Sequence, residues 1–169
     1  YSTVTYEYNP RGQTVAVAFW GTDKQPIVGR DGYAKAVYTY DDRGNTTSEV
    51  YTNALGNPCI SVKGYARVSR TFDARDRRTM ESYYGEDDTP AFSVDGYSLT
   101  TLTYDARGNL IEQNFSGVDG KPAWLADGYA KVTYVYDERG DRTETHYFGV
   151  NGEPAFHRDG YSGVRAEFD

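Results

Sequence analysis

The chain has 169 residues and a net charge of −7, with 25 acidic against 18 basic side chains. This balance argues against a strong electrostatic attraction to nucleic acid or to an anionic membrane surface. No apolar run approaches the ~20 residues that a membrane-spanning helix needs, and the single cysteine, Cys59, has no partner for an internal disulfide. We therefore expect no nucleic-acid partner and no membrane insertion.

The sequence repeats every 32 residues. Full repeats cover residues 1–32, 33–64, 65–96, 97–128 and 129–160, and a partial sixth covers 161–169. Each repeat begins with tyrosine followed by Ser or Ala, and each full repeat ends in glycine. Such self-similarity is typical of proteins in which every copy packs on its neighbours. We predict a single repeat array over 1–169 and number repeat positions from the first tyrosine.

The first two elements of a repeat form a predicted hairpin. Within residues 129–137 small or apolar side chains alternate with Lys131, Thr133 and Val135, and this period of two indicates a half-buried strand. A D-x-R-G-N turn follows, as at 105–109, and then a second strand rich in Thr and aromatics, as at 142–149. Two registers that differ by one residue stay open: one follows from a bulged turn, and the other sets the small second residue opposite the aromatic nineteenth.

After the second strand, a glycine-containing turn leads to proline at repeat position 26 and a short apolar pair, as in 122–128. This segment could form a third, brief strand or a single helical turn, and we predict the strand. Aromatic residues recur at positions 8 and 19. Burial of each ring by stacking on its copies would stabilise the fold by roughly 1.5–3 kcal/mol. The two columns are Tyr8, Tyr40, Phe72, Tyr104, Tyr136 and Phe168, and Phe19, Tyr51, Tyr83, Phe115 and Tyr147.

The predicted fold is all-β, an elongated solenoid of stacked β-hairpins with five 32-residue repeats plus a partial sixth. An isolated two-stranded hairpin is only marginally stable, so each repeat depends on its neighbours. Both ends would expose unpaired strand edges. We therefore expect the chain to be a segment of a longer array, with adjoining repeats of the same parent chain as partners.

One arginine stands at the same place in every turn, although turn geometry does not require it. The structural interpretation places each guanidinium over a tyrosine ring or on a carboxylate of its own or a neighbouring turn. The functional alternative is a row that grips a polyanion or a carboxylate-bearing glycan, against which the net negative charge argues. The candidate ligand-binding arginines are Arg11, Arg43, Arg75, Arg107 and Arg139.

Six further aromatics break the two aromatic columns. They could form platforms for sugar rings or cap the hydrophobic seam, and Trp20 and Trp124 are the candidate ligand-binding residues among them. The set is Trp20, Tyr84, Phe92, Trp124, Phe148 and Phe156. Acidic turns at 85–90 and 116–122 lack the dense alternation of a calcium loop, so calcium is only a weak expectation.

The chain offers few groups for catalysis. His146 and His157 do not recur in other repeats and have no metal-ligand spacing, so we expect surface histidines, no metal and no cofactor. Cys59 occupies a position that other repeats fill with Ile or Ala, which indicates a small core residue. Asp76 and Arg70 make the third repeat deviant, through local drift or an interface. We expect no enzymatic activity.

The Y-x-Y-D-x-x-G-N pattern resembles the tyrosine-aspartate repeats of the RHS class, bacterial surface and toxin-shell proteins. The G-x-P segment and the Gly-Tyr junction are similar, more weakly, to the aromatic hairpin repeats of glucan- and choline-binding modules. The first resemblance implies a structural or protein-binding domain of a larger bacterial surface or secreted protein, located in the cell envelope or outside the cell. The second implies a carbohydrate or cell-wall binding module as the alternative.

Overall fold

The computed structural model describes residues 1–166, and that part of the chain is all-β, without a helix. The strands recur with the 32-residue spacing, so the prediction of an all-β fold of stacked hairpins is confirmed. The rest of the sixth repeat, with Phe168, lies outside the described residues. The strands are β1 Thr3–Tyr8, β2 Thr14–Trp20, β3 Lys35–Tyr40, β4 Thr46–Thr52, β5 Arg67–Phe72, β6 Arg78–Tyr84, β7 Leu99–Tyr104, β8 Leu110–Ser116, β9 Lys131–Tyr136, β10 Arg142–Phe148 and β11 Gly163–Arg165.

The strands belong to two compact units. The N-terminal unit, Tyr1–Val94, contains β1 to β6, and the C-terminal unit, which begins at Asp95, contains β7 to β11. Within each unit the strands lie side by side in chain order, each antiparallel to its neighbours. This order is the simplest one for hairpins in series, because sequential strands become spatial neighbours.

A bulge decides the register of each hairpin. Next to the turn Tyr8 pairs with Thr14, as the bulged turn predicts. Beyond a register shift at Glu7 and Tyr8 the partner of Val4 is Phe19, one residue away from the predicted register, so the bulged-turn prediction holds only for the pair at the turn. The alternative, with the second residue opposite the nineteenth of the same hairpin, is wrong. The second residue instead lies beside the nineteenth of the preceding repeat, since the Phe19 N–H donates to the Ala34 carbonyl at 2.9 Å.

Each repeat contains three turns of one geometry, which begin at repeat positions 9, 21 and 29. In the second repeat the Asn53 N–H donates to the Asn57 carbonyl at 2.9 Å, and the Gly56 N–H donates back to Asn53 at 3.0 Å. The fourth residue of the turn has a positive φ, as Gly56 does at 84°. Glycine or a short polar residue is favoured there because a β-carbon crowds the backbone in this conformation.

The predicted third strand is wrong. The proline at repeat position 26 makes a single antiparallel bridge to the end of the second strand, as between Pro26 and Trp20. The Ile27 N–H adds one hydrogen bond to the Phe19 carbonyl at 3.0 Å, and the next turn starts at Gly29. Two tight turns so close together leave no length for a strand.

The core of each unit is a ladder of aromatic rings from repeat positions 1 and 19. In the N-terminal unit the ring centroids are 4.6 to 6.0 Å apart along the series Tyr1, Phe19, Tyr33, Tyr51, Tyr65 and Tyr83. In the C-terminal unit the spacing is 4.8 to 6.0 Å along Tyr97, Phe115, Tyr129, Tyr147 and Tyr161. The predicted burial at position 19 is correct, as only 2% of Tyr51 is exposed.

The second predicted column, at repeat position 8, is not part of the ladder. Tyr8 is 61% exposed. The Tyr40 hydroxyl donates to the Thr14 carbonyl at 2.6 Å, so this ring ties one hairpin to the preceding one through its polar end. Position 8 therefore contributes a contact between repeats near the turn rather than a core ring.

The ladder is covered by the sheet on one side and by the segment after the proline on the other. Ala36 and Val68, on the sheet, are fully buried. Gly29 lies so close to Phe19 that a β-carbon added there would come within 3.0 Å of the ring. Ser61 follows the same path in the next repeat and is also buried.

Two glycines with positive φ test how tightly successive repeats approach. A β-carbon at Gly64 would lie 3.0 Å from the Val94 nitrogen and 3.1 Å from the Phe92 oxygen, whereas nothing lies within 4 Å at Gly56. We expect Gly56→Ala to lower the free energy of unfolding by about 1–2 kcal/mol, from backbone strain alone. Gly64→Ala should lose about 1–3 kcal/mol more, because backbone must move. Urea unfolding followed by circular dichroism measures both, and equal losses would contradict the close packing.

Candidate functional site

The first turn of each repeat is capped by the side chain at repeat position 9. Asp41 Oδ1 accepts the main-chain N–H groups of Arg43 and Asn45 at 3.0 and 2.9 Å, and Oδ2 accepts the Asn45 side-chain amide at 3.0 Å. The bond from the Asn45 side chain, with those from the main chain, lowers the pKa of Asp41 to about 2. Asn9 and Asp105 cap their turns in the same way.

The arginine of this turn bonds to the next turn along the unit. Its guanidinium donates to main-chain carbonyls of the neighbouring turn. The sequence predicted tyrosine rings or carboxylates as the partners and not these carbonyls. Because a guanidinium reaches farther than any neutral donor and stays charged, it suits an exposed gap between two turns. The bonds run from Arg11 to Asp42 at 2.6 Å, from Arg43 to Asp73 at 2.6 Å and from Arg107 to Glu138 at 2.8 Å.

Carboxylates are additional partners in the same row. Arg43 Nε lies 3.2 Å from the Asp76 carboxylate, and Arg139 lies 3.5 Å from Asp137 in its own turn. Asp76 takes the place of a turn glycine with a φ of 61° and also accepts the Asn45 side-chain amide at 2.7 Å. The replacement of glycine in the deviant third repeat thus adds contacts between turns.

All five arginines of the row, including Arg75, are exposed. Acidic side chains stand among them in the N-terminal unit, where Asp41 and Asp76 lie within 3.4 Å of Arg43. These carboxylates offset the positive charge that a polyanion would need. Bonds between turns account for Arg11, Arg43 and Arg107, and polyanion binding stays a prediction.

A buried ion network crosses three strands of the N-terminal unit. Arg70 on β5 lies 2.6 Å from Glu49 on β4 and 2.5 Å from Glu81 on β6, and these side chains are only 16%, 15% and 8% exposed. The hydroxyls of Tyr51 and Tyr83 donate to the two carboxylates. A buried charge is tolerated when it is paired and fully hydrogen-bonded, so Arg70 is compensated from both neighbouring strands.

The network keeps its charges at neutral pH. Burial raises the pKa of Glu49 and Glu81, but the hydrogen bonds from the tyrosines and from Arg70 outweigh it, and both pKa values lie below the usual range. Burial likewise lowers the pKa of Arg70, and the two glutamates outweigh that effect and raise it. Arg78 adds a second contact to Glu81 at 2.7 Å.

Trp20 lines a cleft of about 250 Å³ in the N-terminal unit. Its indole Nε1 donates to the Thr5 hydroxyl at 2.8 Å, which fixes the ring. Glu7 and Lys35, whose charged groups are 3.0 Å apart, also line the cleft, together with Asn53 of the next turn. A fixed aromatic face beside polar groups is the arrangement that binds a sugar ring in many proteins.

Trp124 lies in the C-terminal unit, so the two candidate tryptophans belong to different units. It is 50% exposed, and a β-carbon at Gly149 would come within 2.7 Å of its ring. Trp124 shares repeat position 28 with Phe92 and Phe156. These residues, which lie outside the two predicted aromatic columns, therefore form a further column of their own. An alignment of the repeats at position 28 would have revealed it from the sequence.

Trp20 belongs to the other missed column, at repeat position 20, with Tyr84 and Phe148. In two repeats a basic side chain lies over the ring. The Arg67 guanidinium is 3.7 Å from the Tyr84 ring centroid, and Lys131 is 5.5 Å from that of Phe148. These rings pack under cations of the adjacent strand, as in a structural cation–π contact.

The two histidines differ from each other. His146 is half-buried, with 45% of its side chain exposed at the surface and Nε2 2.9 Å from Glu144. The expectation of a surface residue is wrong for His157, whose side chain is only 15% exposed. Its ring stacks on Tyr161 at 5.1 Å and extends the aromatic ladder. Cys59 is buried, as predicted, and burial raises the pKa of its thiol.

Within residues 1–166, no three His, Cys, Asp or Glu side chains are grouped to hold a metal ion. The same part of the chain has no helix long and apolar enough to cross a membrane. The chain matches no family model and no curated protein.

The row of arginines generates a stability prediction. Arg43→Ala removes the bond to the Asp73 carbonyl, and we expect the free energy of unfolding to fall by about 1 kcal/mol. Arg30 is also exposed but lies outside the row, so Arg30→Ala is the matched control and should leave stability within about 0.5 kcal/mol. Urea unfolding compares them, and equal effects would argue against the bond between turns.

Arg70→Leu tests the buried network. Leucine fits, because Leu102 holds the same repeat position, but Glu49 and Glu81 then lose their buried cation. We expect a loss of about 3–5 kcal/mol at pH 7. Adding Glu49→Gln and Glu81→Gln to the variant should recover most of it.

The free energy of unfolding of Arg70→Leu should depend on pH in the opposite direction to that of the native network. Without Arg70 we expect burial to raise the pKa of Glu49, whereas Glu81 keeps its contact with Arg78. The folded state then binds more protons than the unfolded one, and the variant regains stability as pH falls towards 5. In the native chain the pKa values of both glutamates are lowered, so their contribution is lost as pH falls through them. Urea unfolding at pH 7 and pH 5 separates the cases, and a variant loss independent of pH would contradict the network.

Proposed function

We propose that this chain is a non-catalytic structural or protein-binding repeat domain. The observation that carries the proposal is the use of the repeated residues. The rings of positions 1 and 19 contact one another, and the arginines bond the next turn, as Arg11 and Arg43 do. The side chains that the repeat preserves thus serve contacts between repeats, which is the requirement of a scaffold.

The resemblance to tyrosine-aspartate repeats supports a setting for this scaffold. Proteins of that class are bacterial surface and toxin-shell proteins, and the turn with its preceding strand carries the likeness here, as in 104–109. We propose that the chain belongs to a larger bacterial protein of the cell envelope or the extracellular space. Adjoining repeats of the same parent chain are its expected neighbours.

Carbohydrate or cell-wall binding is the second candidate. The Trp20 cleft favours it, because a ring fixed by Thr5 stands beside the Glu7–Lys35 ion pair and Asn53. Sugar rings pack on aromatic faces while their hydroxyls bond nearby polar groups. In this alternative the domain would attach a larger protein to a glycan surface.

A saccharide array separates the two candidates. We expect the native chain to retain no saccharide above the background of an unrelated acidic protein, because its repeated side chains are engaged between repeats. Trp20→Ala and Trp124→Ala are measured in parallel. A saccharide that the native chain retains and that Trp20→Ala or Trp124→Ala releases would replace the structural proposal with the carbohydrate one.

A further inference from the structure

A cleft of about 270 Å³ opens on the ladder side of the sheet in the C-terminal unit. It lies between the fifth repeat and the start of the sixth, and Tyr147 of the ladder and Val164 of β11 form part of its wall. The Ala166 N–H donates to the Thr143 carbonyl at 2.8 Å, which holds the chain after β11 against β10. The cleft is therefore built by the paired strands of the unit.

The same location between the second and third repeats is filled. There Arg70 reaches Glu49 at 2.6 Å, and these two side chains are only 16% and 15% exposed. In the cleft, Ala166 holds the repeat position of Arg70, and Thr145 holds that of Glu49. Two short side chains thus replace a buried ion pair, and the cleft occupies the space that the longer side chains take in the N-terminal unit.

The replacement also leaves a cation in the cleft without a carboxylate. Arg142 lines the cleft and holds the repeat position of Arg78, whose guanidinium lies 2.7 Å from Glu81. Glu81 in turn holds the position at which the fifth repeat has Thr145. Among the described residues, no carboxylate lies within ion-pair distance of the Arg142 guanidinium, which stands 5.2 Å from the centroid of the Tyr134 ring.

A buried hydroxyl faces the same cleft. Thr145 is 7% exposed, and it lies on the face of β10 that carries Tyr147, because residues two positions apart share a face of a strand. In the described part of the chain its hydroxyl makes no hydrogen bond, although buried hydroxyls in proteins are normally bonded. This hydroxyl and the Arg142 guanidinium are therefore two donors available to one acceptor in the cleft.

The acidic residue that also lines the cleft does not neutralise Arg142. Glu144 is next to Thr145 in sequence and so lies on the opposite face of β10, where its carboxylate is 2.9 Å from His146 Nε2. The net charge of −7 opposes an anion at a distance, but salt screens that effect over about 10 Å at 0.1 M. A partly buried contact is screened much less, so the groups within the cleft decide whether an anion binds.

These groups define the chemistry of a ligand. A guanidinium and a hydroxyl are donors that bind a carboxylate, and arginine can bond both of its oxygens, whereas a cation would be repelled. The rest of the wall includes Tyr129, Tyr161 and Val164, which suit a flat apolar body. A cavity of roughly 150 Å³ can hold one benzene ring, so the 270 Å³ of the cleft leave room for one ring and its carboxylate.

We propose that the cleft between the fifth and sixth repeats binds a small aromatic carboxylate, with the carboxylate on Arg142 and Thr145 and the ring against Tyr147 and Val164. In the third repeat the arginine at this position binds a glutamate of the protein itself, and in the fifth repeat it binds the ligand. This inference goes beyond the proposed structural function and does not depend on it.

The test uses benzoate, and a ligand-observed NMR titration of the whole chain measures its dissociation constant. Benzyl alcohol has the ring without the carboxylate, and acetate has the carboxylate without the ring. Arg142→Gln removes the cation at a position where the fourth repeat has the uncharged Leu110, and Ala166→Leu fills the cleft at a position where that repeat has Leu102. Arg158→Gln is the matched control, because Arg158 is exposed in the same unit and lies outside the cleft.

We expect benzoate to bind with a dissociation constant on the order of 1 mM, as is usual for a ligand of this size. Benzyl alcohol and acetate should each bind about tenfold more weakly or less. Arg142→Gln should weaken benzoate binding about tenfold, because hydrogen bonds to a charged group are lost, and Ala166→Leu should abolish it. Arg158→Gln should leave the affinity unchanged. Urea unfolding verifies that each variant is folded.

Absence of benzoate binding at ten times the expected dissociation constant would overturn the proposal. Equal affinity for benzoate and benzyl alcohol would do the same, since the carboxylate would then not be recognised. A loss in Arg158→Gln as large as that in Arg142→Gln would also overturn it, because net charge alone would explain the binding. None of these results affects the proposed structural function, which rests on contacts between repeats.

Discussion

Contact between aromatic rings of successive repeats is the interaction on which this structure depends. Tyr33, for example, lies between Phe19 of the preceding repeat and Tyr51 of its own, with centroids 5.7 and 4.7 Å away. Burial of such a ring stabilises the fold by roughly 1.5–3 kcal/mol, whereas a two-stranded hairpin alone is marginal. A single hairpin is therefore the structural repeat but is not stable by itself. Each copy needs the aromatic ring of a neighbouring copy to bury its own.

Hydrogen bonds between turns join successive repeats outside the ladder. At the first turn, guanidiniums such as Arg11 bond the carbonyls of the next turn, and at the third turn main-chain groups such as Val62 N–H bond the preceding repeat. Turns are where a sheet has the most unsatisfied backbone groups. Apolar contacts thus join repeats in the middle, and polar contacts join them at the edges.

The same arrangement explains where the repeat tolerates change and where it leaves a surface. Arg70 replaces an apolar or aromatic residue of other repeats, and this is possible because Glu49 and Glu81 reach it from both neighbouring strands. At position 28, in contrast, the side chain lies outside the ladder and is partly exposed, as in Phe92. Interior positions such as Arg70 are therefore constrained together with the residues that contact them.

The sequence by itself determined the features that lie within one repeat. Its 32-residue period, the two strands, the glycine-containing turn and the burial at position 19 follow from local periodicity and turn chemistry, as in Tyr51 and Gly56. Part of the candidate site followed too, since Cys59 and the existence of an arginine row are visible in the repeat.

Tertiary structure alone decided the features that join different repeats. The bulge beside Tyr8 shifts the register, and the small second residue bonds through its main chain to the aromatic residue of the preceding repeat rather than to that of its own. The acceptors of the arginines, the compensation of Arg70 and the outward direction of position 28 were likewise hidden. The physical reason is that these contacts join residues 11 to 31 positions apart in sequence on different strands or turns, and their geometry exists only once the strands have paired and neighbouring hairpins have stacked.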